Sequence, residues 1–344
     1  MNELSEKYWL HIKLLFIPYL VMMFLLLFPL QYLVYSPGGL TEVEKIISIE
    51  YNQDKEVEGT ISSTFVMSIP RPTIFQFLVG YFNPYVDINV LPTSYEEYTN
   101  QEIAQISYAD KDISVSTAII VAYEAMSQID PSIYVTYEDK VIVFGKASYL
   151  SHYADIDFGD AFISLVGEND ETVYSIAEIA NVTVNGGTYD MTFEKEDGEI
   201  YTVPILKNAD TGLFGITFVT YKQVDPALSY PIFTEKSSNT GGSSGGLLQT
   251  LAVYNMLSAE DITHGLKVAG TGTINYAGTV GNIGAVKQKV LTAYENNVDV
   301  FFMSPDDYQT AVNVCEAYNI DYSDWLVSVA TFQDALDYLE SLGD

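Results

Sequence analysis

Apolar residues crowd the start of this chain and then thin into periodic patterns. Residues 14–35 are apolar apart from Gln31 and carry no charge. At ~1.5 Å per residue a helix of that length spans a ~30 Å hydrocarbon core, so the run predicts a transmembrane helix. Pro18 and Pro29 fall near its two ends, where a kink is better tolerated than at the centre. Beyond it, β-rich runs predict strands at 46–49 and 59–67. The aromatic, acidic stretch 81–100, with Pro84 and Pro92, predicts no regular element, and 114–127 predicts a helix. From 131 to 208 short apolar runs alternate with turns. Strands are expected at 141–144, after the Gly159-Asp160 turn, and as a pair within 181–203 around Asp197-Gly198, with a short helix at 175–180. After a strand at 214–222 the period changes. A helix follows Gly246, and strands at 266–274, 298–303 and 325–329 then alternate with helices at 285–296, 306–318 and 332–342. That alternation suits a compact α/β domain. The pattern divides the chain into 1–13, a membrane span 14–35, a juxtamembrane region 36–130, a β unit 131–208 and an α/β unit 209–344, an α+β multidomain fold.

Charge sets the expected orientation. Lys7, His11 and Lys13 precede the apolar run and the next basic residue is Lys45. The positive-inside rule then places the N-terminus in the cytoplasm and the bulk of the chain outside the cell membrane. A cleaved signal peptide is the alternative. The run exceeds a usual h-region and no A-x-A-like site follows Val34, which favours a retained single-pass anchor. With 46 acidic and 15 basic residues the formal net charge is −31, leaving no basic patch for nucleic acid. The single Cys315 excludes an internal disulfide, and His11, His152 and His264 are too few for a histidine-rich metal site. No G-x-x-x-x-G-K-[ST] occurs, so ATP is not expected, and no cofactor is assigned.

Candidate chemistry lies in the α/β unit. Gly242-Ser243-Ser244-Gly245-Gly246 fits G-x-S-x-G, in which small flanking residues let a hydroxyl stand at a sharp turn into a helix. By composition alone the same glycine/serine stretch reads as a flexible linker. The apolar positions Leu247, Leu248, Leu251, Ala252, Tyr254 and Leu257 favour the turn, because a helix opens directly from it. A serine hydroxyl needs a base, and His264 is the only histidine of this unit. A lysine serves if burial keeps it neutral; Lys289 lies among Val286, Val290 and Leu291, whereas Lys287 should face elsewhere. A helix start at Ser244 would also offer backbone N–H groups to a developing oxyanion. Cys315, within an apolar helix face, reads as core, and Asp306-Asp307 as a helix start.

The stretch from Gly278 to Ala293, Gly-Thr-Val-Gly-Asn-Ile-Gly-Ala-Val-Lys-Gln-Lys-Val-Leu-Thr-Ala, resembles the lysine segment of the Lon peptidases, G-x-V-x-x-I-G-G-hydrophobic-K-x-K. The serine stretch then aligns with their G-P-S-A-G, and Ala269-Gly270-Thr271-Gly272-Thr273-Ile274 resembles the strand between the two. The resemblance implies a nucleophile at Ser244, a catalytic lysine at Lys289 and a supporting hydroxyl at Thr271. Ser243 replaces proline, Gly245 replaces alanine and Ala285 replaces glycine, and Ser243 leaves a second hydroxyl beside the first. Residues 156–168 resemble the L-x-x-G-D-x-I-x-x-V-N-G run of PDZ domains. Together with the Ser36-Pro37-Gly38-Gly39 exit from the apolar run, the layout is similar to the membrane-anchored PDZ–Lon peptidases of Gram-positive bacteria, the SepM-like group. That resemblance implies an ATP-independent Ser–Lys endopeptidase outside the membrane, its PDZ-like unit at 131–208 presenting peptides or flexible tails to a Lon-type unit at 209–344. A PDZ-based binding scaffold with an inactive peptidase unit is the alternative. Substrate identity and oligomeric state are not legible in the chain.

Overall fold

The computed structural model describes residues 3–51, 55–236 and 240–343. The chain begins with α1 (Glu3–Leu27), β1 (Tyr32–Glu42), β2 (Ile47–Ile49), β3 (Thr60–Pro70), α2 (Ile74–Tyr81), β4 (Asp87–Val90) and the long α3 (Asn100–Ser127). A mostly β stretch follows, with β5 (Tyr134–Lys146), β6 (Ala161–Val166), β7 (Thr172–Val173), the single-turn α4 (Ile179–Val182), β8 (Thr188–Glu194), β9 (Ile200–Leu206), β10 (Ile216–Tyr230) and β11 (Phe233–Glu235). The rest alternates: α5 (Gly246–Leu257), β12 (Lys267–Gly270), β13 (Thr273–Ile274), β14 (Val280–Gly281), α6 (Val286–Glu295), β15 (Val300–Met303), α7 (Pro305–Tyr318), β16 (Leu326–Ser328) and α8 (Phe332–Leu342).

The transmembrane helix expected over 14–35 is corrected. α1 stops at Leu27, and from Tyr32 the chain is β1, whose Leu33 and Val34 are buried between β3 and β4. Pro29 lacks the N–H that a continuing helix would use. The apolar character at the end of the run therefore belongs to a core strand. Among the described residues no helix is long and apolar enough to cross a membrane. The fold class loses its membrane-spanning element, and the single-pass placement with the bulk of the chain outside the cell membrane goes with it. α1 packs its C-terminal end against α2, and its apolar side chains from Leu14 to Leu27 stand mostly exposed.

Two sheets organise the remainder. The larger, in the order β16-β15-β12-β3-β1-β4, is parallel from β16 to β3 and antiparallel at β1 and β4. Strands from residues 32–90 thus complete a sheet begun by residues 267–328. Helices cover both faces, and the strands alternate accordingly. Val268, Val300 and Phe302 pack with α3, α5 and α8, while Ala269, Phe301 and Met303 pack with α6 and α7. α5 is the most enclosed helix: Leu247, Leu248, Leu251, Ala252, Val253 and Leu257 are each at most 1% exposed. Burying a large aliphatic side chain contributes about 1.5–3 kcal/mol, so this helix is fixed in place by its own core.

The second sheet runs β10-β5-β6-β8-β9, with β7 pairing β6. The expected pair around Asp197-Gly198 is β8 and β9, while the helix expected at 175–180 is the single turn α4. α3 links the two sheets. The Lys146 ammonium, 3% exposed, lies 3.4 Å from the Glu102 carboxylate of α3, and Gln105 of α3 donates to Asp157 at 3.2 Å.

Candidate active site

The site lies where β12 ends and α5 begins. Ser244 occupies the turn before α5, partly buried, and Gly245 caps the helix without a side-chain bond. Gly242 adopts φ +88°, a left-handed conformation that side chains resist, so glycine is needed there for the chain to turn. The Ser244 carbonyl accepts from Gly272 N–H at 2.8 Å and from the Thr271 hydroxyl at 3.0 Å, which ties the turn to the end of β12. The N–H groups of Ser244 and Gly245 have no acceptor among the described residues, as befits the first donors of a helix.

α6 brings the lysine. Its Nζ lies 2.7 Å from Ser244 Oγ and 2.9 Å from Thr271 Oγ1. The side chain is 2% exposed, and burial lowers its pKa to about 7, with nearby Asp307 acting in the opposite direction. The structure thus brings Ser244, Lys289 and Thr271 together. Thr271 joins the other two: its oxygen accepts from Lys289 while its proton goes to the Ser244 carbonyl. Lys287, two residues earlier, points away and pairs with Asp87 of β4 at 2.9 Å. His264 stands exposed in a loop after α5. Cys315 is fully buried, with its thiol pushed up to about 11 by burial.

Asp307, which the sequence marks only as a helix start, lies close to Lys289. It is 7% exposed, and its Oδ2 accepts from Ile283 N–H at 2.9 Å, holding the loop that leads into α6. Burial raises its own pKa, with Lys289 pulling the other way. An acidic residue in a first helical turn is so common that nothing local distinguishes this one. In the same loop, Ala285 adopts φ +57° at the N-cap of α6. A left-handed alanine costs about 1–2 kcal/mol that glycine avoids, part of which glycine returns through its freer unfolded chain. Ala285→Gly is therefore expected to stabilise the protein by roughly 0.5–1 kcal/mol, measured as an upward shift of the urea midpoint at constant m value. An unchanged or lower midpoint would contradict the strain.

A buried amine against a serine hydroxyl at the mouth of an α/β sheet defines a class of site suited to acyl transfer. Residues 213–331 match the family model described as the Lon protease (S16) C-terminal proteolytic domain. The match supports a Lon-type serine peptidase domain in this part of the chain, a hydrolase. No curated protein matches the chain. Half of the larger sheet, β3, β1 and β4, comes from outside the matched residues.

Proposed function

We propose that this protein is an ATP-independent endopeptidase that cleaves extended peptides or flexible tails with Ser244 as nucleophile and Lys289 as general base. One observation carries the reading: the 2.7 Å approach of a desolvated lysine amine to the Ser244 hydroxyl. Neutral Lys289 takes the Ser244 proton as Oγ attacks the scissile carbonyl carbon. The resulting oxyanion sits against the N–H groups of Ser244 and Gly245, which have no acceptor among the described residues. The lysine ammonium then returns its proton to the leaving amine, and the C–N bond breaks to leave an ester on Ser244. Water, deprotonated by the same lysine, hydrolyses that ester. Thr271 orients both partners through its single hydroxyl.

The six-stranded sheet built mostly from residues 131–208 is proposed to act as the PDZ-like presenting unit, taking a peptide as an added strand. Support comes from its open edge at β9 and from its attachment to α3, the helix that also packs on α5.

A serine-directed covalent probe tests the chemistry. The purified chain is expected to be labelled on Ser244 and to cleave an unstructured peptide without ATP and in the presence of a chelator. Absence of both labelling and cleavage in the folded protein would favour a binding scaffold, and strict dependence on metal or ATP would rule out this mechanism.

A further inference from the structure

We infer that Asp110 is a positioning residue for the nucleophile turn, an inference that rests on the assignment of Ser244. The turn is poorly able to hold itself. Gly241, Gly242, Gly245 and Gly246 flank two serines, and glycine loses more conformational freedom on ordering than any other residue. Order comes from outside: Thr271 and Gly272 hold the Ser244 carbonyl, and one face of α3 holds the residues before it. The Ser107 carbonyl accepts from Gly242 N–H at 2.7 Å, Asp110 Oδ2 accepts from Ser243 N–H at 3.0 Å, and the Ser114 hydroxyl donates to the Ser243 carbonyl at 3.1 Å. Both backbone polar groups of Ser243, the residue immediately before the nucleophile, are therefore held by α3.

Asp110 makes the charged contact of the three, and a carboxylate accepting from an N–H forms a stronger bond than a neutral acceptor. It engages the Ser243 N–H, so that the N–H groups left for an oxyanion are those of Ser244 and Gly245. Asp110 touches neither reacting atom. Its action passes through the backbone to the direction of Ser244 Oγ, set against a lysine that Thr271 and the core of α6 hold. Loss of the contact leaves Lys289 in place and lets the hydroxyl drift, which lowers the chemical step and leaves peptide affinity nearly unchanged.

The test uses the full chain and an unstructured peptide, with kcat and KM measured separately and the fold checked by its thermal transition. Asp110→Ala is expected to lower kcat by about 10- to 100-fold with KM changed less than about threefold. Asp110→Asn keeps an acceptor oxygen and recovers most of that loss. Ser243→Pro removes the N–H that Asp110 holds, so in that background Asp110→Ala costs less than about threefold. Wild-type kcat in Asp110→Ala overturns the inference, as does Asp110→Asn falling as far as alanine, or an equal Asp110→Ala loss with and without the Ser243 N–H. Should Ser243→Pro itself be inactive, the contrast between alanine and asparagine decides. Ser244→Ala is measured alongside. If it still cleaves, the nucleophile assignment fails and this inference with it; if it is inactive while Asp110→Ala is unaffected, this inference alone fails.

Discussion

Ser244→Ala and Lys289→Ala are each expected to reduce peptide turnover by at least ~10³-fold, and the double variant little further, because residues acting as one unit fail together. The geometry explains why the loss should be so nearly complete. Lys289 Nζ is the basic group hydrogen-bonded to Ser244 Oγ, and exposed His264 is not among its partners. Lys289→Arg should be as damaging as alanine, since a guanidinium stays protonated and cannot accept the hydroxyl proton. Each candidate has a neighbour that serves as a control. Lys287→Ala breaks only the ion pair with Asp87 and should retain turnover, and Ser243→Ala leaves its backbone N–H in place and should still be labelled by a serine-directed probe. Turnover is read by mass spectrometry of the cleaved peptide. Activity surviving in Lys289→Ala but lost in Lys287→Ala would require a different base.

The second large effect is on pH. With Lys289 at about 7, kcat/KM should rise about tenfold per pH unit below that value and level off above it, because only the neutral amine accepts the serine proton. Asp307 favours the charged lysine, so Asp307→Asn should move the midpoint to lower pH. A profile flat between pH 5.5 and 8.5 would contradict the assignment of Lys289 as base. Stability responds to the same group. An unfolded lysine titrates near 10.5, so between about 7 and 10.5 the unfolded chain binds more protons than the folded one. Stability from this group therefore increases as pH rises through that window, and below about 7 the buried charge is a full liability. Replacing Lys289 with methionine removes that dependence, which a series of urea melts against pH would read.

Several structural features were written locally but in signals easily passed over. α3 begins at Asn100, well before the apolar pattern from 114 suggests, because Thr99 and Glu102 form a capping box: Thr99 Oγ1 accepts from Glu102 N–H at 3.2 Å and Glu102 Oε2 from Thr99 N–H at 2.8 Å. That T-x-x-E signature stands in the chain. The strand expected over 266–274 breaks into β12 and β13, where the Gly272 N–H donates to the Ser244 carbonyl and the Gly272 carbonyl accepts from Leu247 N–H. Apolar periodicity alone carries no sign of such a break. The run at 14–35 misled for a related reason: a helix and a strand buried in a sheet core can both be continuously apolar.

The sequence by itself determined the local pieces and nominated the candidate site residues. The alternation after residue 240 is realised in α5 to α8 and β12 to β16, and the ordered serine, threonine and lysine segments named Ser244, Thr271 and Lys289, which the fold brings within 2.9 Å of the lysine amine. Tertiary structure alone decided what surrounds them. That residues 32–90 complete the larger sheet, that Asp307 lies near the lysine, and that Asp110 of α3 reaches the Ser243 N–H across 133 positions are consequences of long-range packing. Hydrophobic period and turn chemistry act over a few residues, so they fix an element and the face it buries. Which distant carboxylate or strand meets that face is set only when the core closes.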